Sequence, residues 1–228
     1  MFEIYPHFIP ARWRAPILAL VQQAGFFMPI SREVLDATRE VERATGTPAA
    51  ALVAIAIVET NARAFAPVGE GREPLIRFEG HVFDRRLNEE KRRIARTAGL
   101  SAPRAGQIRN PAGQDARWRL LRQAAAIDAN AAYEATSWGL GQVMGLHWQT
   151  LGYASAAALA EEARRSAEGQ FNLVARFLKT GPFVERLERG DWEGFARLYN
   201  GPGFTANAYD RKIESAFRQA SRLLSNAA

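Results

Sequence analysis

The chain has 228 residues, 47% of them hydrophobic, so it can bury a sizeable core, and its composition excludes a largely disordered protein. A formal net charge of +6 and a pI near 10.1 favour an anionic partner, such as nucleic acid, a phospholipid surface or an acidic cell-wall polymer. The absence of cysteine excludes disulfides and thiolate metal sites, and His7, His81 and His147 have no zinc-ligand spacing, so we expect no metal and no cofactor.

The first 34 residues are rich in aromatic residues and prolines, and they include a predicted helix over residues 15–24. We predict that residues 1–34 form an extension packed on the body and that residues 35–228 form the main domain. The apolar stretch at 16–30 contains Gln22, Gln23 and Gly25, and no cationic leader precedes it. We therefore expect neither a signal peptide nor a membrane span.

Two helices are predicted next. Ser31 is a good N-cap for the first, which Gly46 ends. Thr47 is predicted to cap the second helix, with Pro48 at its first position. Residues 53–58 of this helix are apolar on every side, which is typical of a helix buried all round.

Glu59 follows that apolar run directly, which puts a carboxyl group at the edge of a core. Removal from water favours the neutral form of a carboxyl group, so we expect a raised pKa. An acid that stays protonated near neutral pH can give a proton to a leaving group, as glycoside hydrolysis requires. The structural alternative is an exposed ion pair with Arg63 at helical spacing.

The middle of the chain changes in character after residue 64. Residues 75–83 (LIRFEGHVF) are predicted to be short and extended, and they include Glu79 and His81. A charged helix is expected over 84–97. The Pro/Gly-rich segment 99–114 is long enough to be predicted as a cleft wall or lid.

An alanine-rich helix is expected over residues 116–135, followed by the glycine-rich segment ATSWGLGQVMGLHW at 135–148. Glycines there allow the backbone to approach a ligand, and the aromatic side chains offer faces for sugar rings, although ordinary core packing explains the pattern equally well. Further helices are expected at 155–165, 166–180, 182–189, 191–199 and 207–225. The predicted fold class is mainly α, a helical bundle around a buried helix, with a small sheet or hairpin near 70–83 or 138–145.

In combination and in order, these segments resemble the N-acetylmuramidase family of phage endolysins and bacterial peptidoglycan hydrolases. The resemblance rests on the apolar helix ending in V-E-T, then F-E-G-H-V-F, A-T-S-W-G-L-G-Q-V-M-G and F-A-R-L-Y-N-G-P-G-F with N-A-Y-D-R-K-I behind it. More distantly, S-x-G-x-x-Q-x-M and Y-N-x-x-G are similar to motifs of lytic transglycosylases and goose-type lysozymes. The resemblance implies an α+β lysozyme-like fold with a glycan-binding cleft, and cleavage of the β-1,4 bond between N-acetylmuramic acid and N-acetylglucosamine.

The resemblance also implies roles for individual residues. Glu59 takes the place of the general acid. The substrate-binding candidates fall on the helix end, on the glycan-contacting motif and on the aromatic-amide motif; they are Thr60, Ser137, Gly139, Gln142, Met144, Tyr199 and Asn200.

A second carboxylate is harder to assign. Glu79 lies in a family-like segment and is our first candidate for activating water or stabilising an oxocarbenium-like transition state. Its structural alternative is a salt bridge to Arg77, Arg85 or another of the many arginines. Further acidic candidates are Asp84, Asp128 and Glu134, and a semi-buried structural role is the expectation for His81.

Three functions compete at this point: a hydrolase, a lytic transglycosylase that uses Glu59 alone and forms anhydromuramic products, and a non-catalytic wall-binding or phage structural protein that has kept the fold. No nucleic-acid-binding module is recognisable, so we expect glycan strands of peptidoglycan as the partner, no nucleic acid, no stable membrane insertion and a monomer. We expect synthesis in the host cytoplasm without a signal peptide and action on the cell wall after holin-assisted release.

Overall fold

The structure, a computed structural model, describes residues 30–225. The predicted extension over residues 1–34 lies almost entirely outside the described residues, and so does the helix expected over 15–24. The first described helix, α1, spans Arg32–Thr45 and packs on α8 (Ala167–Leu178). The domain boundary predicted at residue 35 therefore falls inside a helix that belongs to the body.

Helices dominate the described part of the chain, with five short strands in its middle. In chain order the remaining elements are α2 (Ala49–Thr60), β1 (Phe65–Val68), β2 (Gly71–Pro74), β3 (Ile76–Phe78), α3 (Gly80–Arg86), α4 (Glu89–Thr97), α5 (Gln114–Ile127), α6 (Ala129–Glu134), β4 (Thr136–Trp138), β5 (Val143–Met144), α7 (Ala156–Arg165), α9 (Phe183–Glu188), α10 (Trp192–Asn200) and α11 (Tyr209–Ser225). No helix within residues 30–225 is long and apolar enough to cross a membrane.

The start of α1 and its end follow the sequence prediction, and the start of α2 does not. The Ser31 hydroxyl accepts a hydrogen bond from the backbone N–H of Val34, and Gly46 ends α1 with φ 73°. Thr47 does not cap α2. The carboxylate of Glu42 accepts the backbone N–H of Ala49 at 2.7 Å instead, so the first helix supplies the cap of the second.

Helix α2 is the centre of the fold. Its residues from Ala51 to Ala56 are fully buried, as their apolar pattern predicts. Helix α11 makes the most extensive contact with it, through an apolar stripe at helical spacing that includes Ile213 and Ala216. Because α11 packs along α2, residues at the start of α11 are brought to the end of α2.

The strands form two small antiparallel sheets. Strands β1 and β2 form a hairpin in which Phe65 pairs with Pro74. The second sheet has the order β3-β4-β5, with Ile76 opposite Trp138 and Ser137 opposite Met144. A small sheet was predicted at either of two places, and this sheet joins them. The mainly α fold class with small antiparallel sheets is confirmed.

Two predicted helices are each divided in the structure. The helix expected over 116–135 breaks at Asp128, whose side chain accepts the N–H of Ala131 and begins α6. The helix expected over 84–97 is interrupted at Asn88, which caps α4 by accepting the N–H of Lys91. In both places a capping side chain stops one helix and starts the next.

The segment predicted as a cleft wall or lid, residues 99–114, supports a strand instead. The side-chain amide of Asn110 accepts from the N–H of Phe78 at 2.9 Å and donates to its C=O at 2.6 Å. Gln114 bonds both backbone groups of Ile76 in the same way. These amides cover the free edge of β3, which would otherwise expose unpaired backbone groups.

Candidate active site

Glu59 lies in the last turn of α2 and lines a cavity of about 710 Å³. The helix ends immediately after it, because Asn61 adopts φ 53° and its N–H closes the turn onto Ala56 and Ile57. Glu59 keeps a small exposed surface towards the cavity, while the atoms packed around its carboxyl group remove most of its hydration. The acid is therefore reachable by a ligand but poorly solvated.

Tyr209 holds the carboxyl group of Glu59. Its hydroxyl donates a hydrogen bond to Glu59 Oε1 at 2.6 Å, between residues 150 positions apart in the sequence. Ala208 has φ 49° directly before it and so turns the chain into α11. Because α11 packs on α2, this bond fixes the carboxyl group relative to both helices.

Burial raises the pKa of Glu59, and this is the largest effect on it. The Tyr209 hydrogen bond and the charges of Arg77 and Lys212 act in the opposite direction, yet the pKa remains above its ordinary value. Burial also raises the pKa of Tyr209 and of Tyr199 well above 10, with the Glu59 charge contributing. Both phenols are therefore neutral hydrogen-bond donors beside the acid.

Glu79 lines the same cavity. Its backbone N–H donates to the C=O of Ala135, which places it next to the start of β4. Its carboxylate forms an ion pair with Arg77, with Nε 2.7 Å from Oε1, and His81 Nδ1 lies 3.5 Å from Oε2. The two acidic candidates thus share one cavity, and the predicted salt bridge to Arg77 is present at the same time.

One wall of the cavity is formed by β4, β5 and the turn between them. The Ser137 hydroxyl lies 2.9 Å from Met144 Sδ, as their strand register places them. Gln142 adopts φ 49°, and its amide nitrogen donates to the backbone carbonyls of Leu75 and Gly139. The three predicted residues Ser137, Gln142 and Met144 all line the cavity.

Tyr199 and Asn200, at the end of α10, also line the cavity. The Tyr199 hydroxyl donates to the C=O of Gly141 at 2.8 Å, and its ring stacks on that of Tyr209 with 6.3 Å between centroids. A Cβ added to Gly141 would lie 2.3 Å from a methyl carbon of Val174, so only glycine fits there. Asn200 is exposed at the rim.

Thr60 and Gly139, predicted to bind substrate, do not line the cavity, and the structure gives them other roles. The Thr60 hydroxyl is buried, and its partners are the backbone carbonyls of Ala56 and Leu140. Gly139 has φ 65°, and a Cβ there would lie 2.7 Å from the side chain of Gln170. Gln170 is fully buried, and its side-chain oxygen accepts a hydrogen bond from the backbone N–H of Leu140. This hydrogen bond holds the glycine-rich turn in place.

The three further acidic candidates interact with groups outside the cavity. Asp84 is buried and paired with Arg96, Asp128 caps α6, and Glu134 is buried against Arg86 and the indole N–H of Trp148. None of the three lines the cavity. Within residues 30–225 there is no group of three or more histidine, aspartate or glutamate side chains placed to hold a metal ion.

Five further residues of the cavity had no assigned role in the sequence: Val58, Arg117, Asn207, Tyr209 and Lys212. Tyr209 and Lys212 lie in the segment N-A-Y-D-R-K-I, which is part of the family resemblance. That resemblance could have pointed to them, whereas their residue types alone could not. Arg117 lies on α5 in an alanine- and arginine-rich run that offers no such signal.

Comparisons with known proteins agree on a single class. The family model described as "Muramidase: N-acetylmuramidase" matches residues 48–221. Among solved structures, the crystal structure of the Burkholderia AP3 phage endolysin matches with a TM-score of 0.69 and 30% sequence identity, over 91% of this chain and 78% of that one. A search of curated proteins gave no match.

Proposed function

The chain belongs to the N-acetylmuramidase family and is a peptidoglycan hydrolase of the lysozyme type, and from this premise we propose that Glu59 is its general acid. The fold is the α+β lysozyme-like fold of a phage endolysin. The bond cleaved is the β-1,4 bond between N-acetylmuramic acid and N-acetylglucosamine. Glu59 gives its proton to the glycosidic oxygen as this bond breaks.

The observation that carries this proposal is the environment of Glu59. It is a carboxyl group with a raised pKa in an open cavity, held by the Tyr209 hydroxyl at 2.6 Å. A raised pKa keeps the proton on Glu59 at a pH where an exposed glutamate has lost it. As the proton leaves, the Tyr209 hydroxyl stabilises the carboxylate that forms.

Glu79 is the proposed second carboxylate. It shares the cavity with Glu59, and its carboxyl oxygen Oε1 lies 2.7 Å from Arg77 Nε. In the hydrolase it activates water or stabilises positive charge at the anomeric carbon. The bound glycan is held by Ser137, Gln142 and Met144 and by Tyr199 and Asn200.

The same ion pair favours a second candidate reaction. Arg77 occupies one oxygen of Glu79, which leaves Glu59 as the acid of the cavity with no ion-pair partner in residues 30–225. In a lytic transglycosylase Glu59 acts first as acid and then as base, while the muramic 6-hydroxyl replaces water. The products then end in anhydromuramic acid rather than in a reducing sugar.

Two variants and one product analysis test these assignments. Glu59→Gln keeps the shape of the side chain but removes its acidic proton. We therefore expect the rate at which muropeptides are released from sacculi to fall at least a hundredfold. Glu79→Gln gives a comparable loss if Glu79 acts in hydrolysis and leaves the rate within about threefold if Glu59 acts alone. Glu90→Gln, the same change at an exposed acid outside the cavity, is the control.

The outcomes separate the three functions. Reducing muramic ends in the mass spectra support hydrolysis, and anhydromuramic ends throughout refute it. Unchanged lysis by the Glu59→Gln protein refutes both enzymatic assignments of Glu59. Wall binding without lysis in the unmodified protein identifies the non-catalytic alternative.

The remaining expectations belong with this proposal. The partner is the glycan strand of peptidoglycan, and we propose that the protein acts on it as a monomer at the cell wall, after holin-assisted release from the host cytoplasm. Size-exclusion chromatography with light scattering tests the first point. Comparing lysis by protein added outside cells with lysis by protein expressed inside them, with and without a holin, tests the site of action and the route of release.

A further inference from the structure

Cationic side chains line the cavity in excess over the anions there. Arg77 is neutralised by Glu79 at 2.7 Å. Arg117 uses its N–H groups on the backbone carbonyls of Pro111 and Ile76, so its charge has no carboxylate partner there. Lys212 forms no ion pair with any residue of the described part of the chain.

This excess charge opposes the function proposed for Glu59. A general acid must keep its proton, and the positive charges of Arg77 and Lys212 both lower the pKa of Glu59. Arg77 has a structural reason to be present, because it pairs with Glu79. Lys212 is exposed and has no such partner within residues 30–225, so its ammonium group is available to an anionic group of a ligand in the cavity.

An anion bound beside Lys212 would meet several hydrogen-bond donors. It follows Tyr209 by three residues on α11, so the two side chains share the face of the helix that borders the cavity. Asn207 and Asn200 line the same cavity, both exposed, and neither side chain is hydrogen-bonded within residues 30–225. One ammonium group and two amides are a suitable donor set for a carboxylate.

The sugar rings and N-acetyl groups of peptidoglycan are uncharged. Its carboxylates belong to the peptide stem, or to the lactyl group of muramic acid where the stem has been removed. We propose that Lys212 is a specificity-determining residue that binds a substrate carboxylate in this cavity, with Asn200 and Asn207 as additional donors. The proposal rests on the assignment of this cavity as the glycan site.

Carboxylate binding here has a consequence for the acid. The bound anion offsets the charge of Lys212, so the pKa of Glu59 rises when the substrate is in place. A neutral glycan such as chitin lacks this effect. The protein therefore distinguishes peptidoglycan from chitin twice, in binding and in the protonation of Glu59.

Binding is measured in the Glu59→Gln background by isothermal titration calorimetry, because residue 59 then cannot titrate and turnover does not intervene. The three ligands are a peptidoglycan tetrasaccharide with peptide stems, the same tetrasaccharide after amidase treatment, and chitotetraose. Lys212→Gln is compared with Arg211→Gln, which removes the same charge from the neighbouring exposed residue outside the cavity.

Because Lys212 is exposed, we expect Lys212→Gln to weaken binding of a carboxylate-bearing ligand by about three- to fivefold and to leave chitotetraose unchanged. A loss with the stem-bearing ligand alone identifies a stem carboxylate, and a loss with the amidase-treated ligand alone identifies the lactyl group. Arg211→Gln should change none of the three. The ratio of kcat/KM on sacculi to that on chitotetraose, with Glu59 intact, gives a second readout.

Equal losses on all three ligands, or no loss on any, would overturn the proposal. Lysis by the Glu59→Gln protein is measured in parallel so that the two assignments can fail separately. If that variant still lyses sacculi, the role of Glu59 is wrong whatever Lys212 does. If it is inactive while Lys212→Gln shows no selectivity, only the carboxylate site is wrong.

Discussion

Tyr209→Phe removes a single hydroxyl group and with it the hydrogen bond to Glu59 Oε1. The ring remains, so its stacking on Tyr199 and its burial against α2 are preserved. The change therefore tests the hydrogen bond alone. Its effect on the rate follows from how this bond changes while Glu59 gives up its proton.

A hydrogen bond between neutral groups contributes about 1 kcal/mol net, and one to a charged group about 1.5–3 kcal/mol. Before the reaction Glu59 is protonated and neutral, and in the transition state it becomes a carboxylate. The Tyr209 bond thus gains about 1 kcal/mol during proton transfer, so its loss should lower kcat by roughly five- to tenfold.

The pH profile should change in a second, independent way. The Tyr209 bond lowers the pKa of Glu59, so its removal raises that pKa further. The active form of a general acid is the protonated one, and activity is lost as the pH rises through its pKa. The basic limb of the kcat/KM profile therefore moves to higher pH while the maximum rate falls.

Initial rates of muropeptide release, measured across the pH range at constant ionic strength, give both quantities. Tyr153→Phe is the matched control, since its buried hydroxyl has no hydrogen-bond partner within residues 30–225 and Tyr153 does not line the cavity. A Tyr209→Phe protein with an unchanged basic limb would show that this hydroxyl does not control the proton of Glu59. A limb that moves to lower pH would refute the sign of the argument.

Two further predictions concern stability and the shape of the cavity. Asp84→Asn should lower the free energy of unfolding by about 2 kcal/mol at neutral pH, because Asp84 is 5% exposed and paired with the half-exposed Arg96. The pKa of Asp84 is lowered chiefly by its hydrogen bond to Arg96. In urea titrations the difference in stability between the variant and the unmodified protein should therefore shrink as the pH falls below 3.8. Gly141→Ala should lower the free energy of unfolding by about 1–3 kcal/mol and displace the Tyr199 hydroxyl, which lies 3.0 Å from the added Cβ. The same substitution at Gly113, where no atom of the described part of the chain lies within 4 Å of the added Cβ, should cost less than about 0.5 kcal/mol.

Local features of the fold were predictable because a few neighbouring residues determine them. The run before Glu59 is apolar on all sides, and it forms the buried helix that this pattern predicts. The break at Asp128 could also have been predicted, since an aspartate in an alanine-rich run favours a helix N-cap. Our prediction gave more weight to the high helix propensity of the surrounding alanines.

The site was predictable only in part, because contacts across the fold form it. Ser137, Gln142 and Met144 share one short segment, so a motif brings them together. The partnership of Tyr209 with Glu59 joins residues 150 positions apart and depends on how α11 packs on α2. Thr60 shows the converse, since sequence adjacency to Glu59 placed it at the site while the helix turns its side chain into the core.

Backbone strain is concentrated around the same cavity. Within residues 30–225, the non-glycine residues with positive φ are Asn61, Ala62, Gln142 and Ala208. Two follow Glu59, one lines the cavity, and one precedes Tyr209. A left-handed conformation costs a residue with a Cβ about 1–2 kcal/mol, and such strain persists only where the surrounding structure compensates for it. The packing of α2 against α11 supplies that compensation beside Glu59 and Tyr209, and the buried Gln170 supplies it at the turn that includes Gln142. The contacts that hold the site in place therefore also stabilise its left-handed residues.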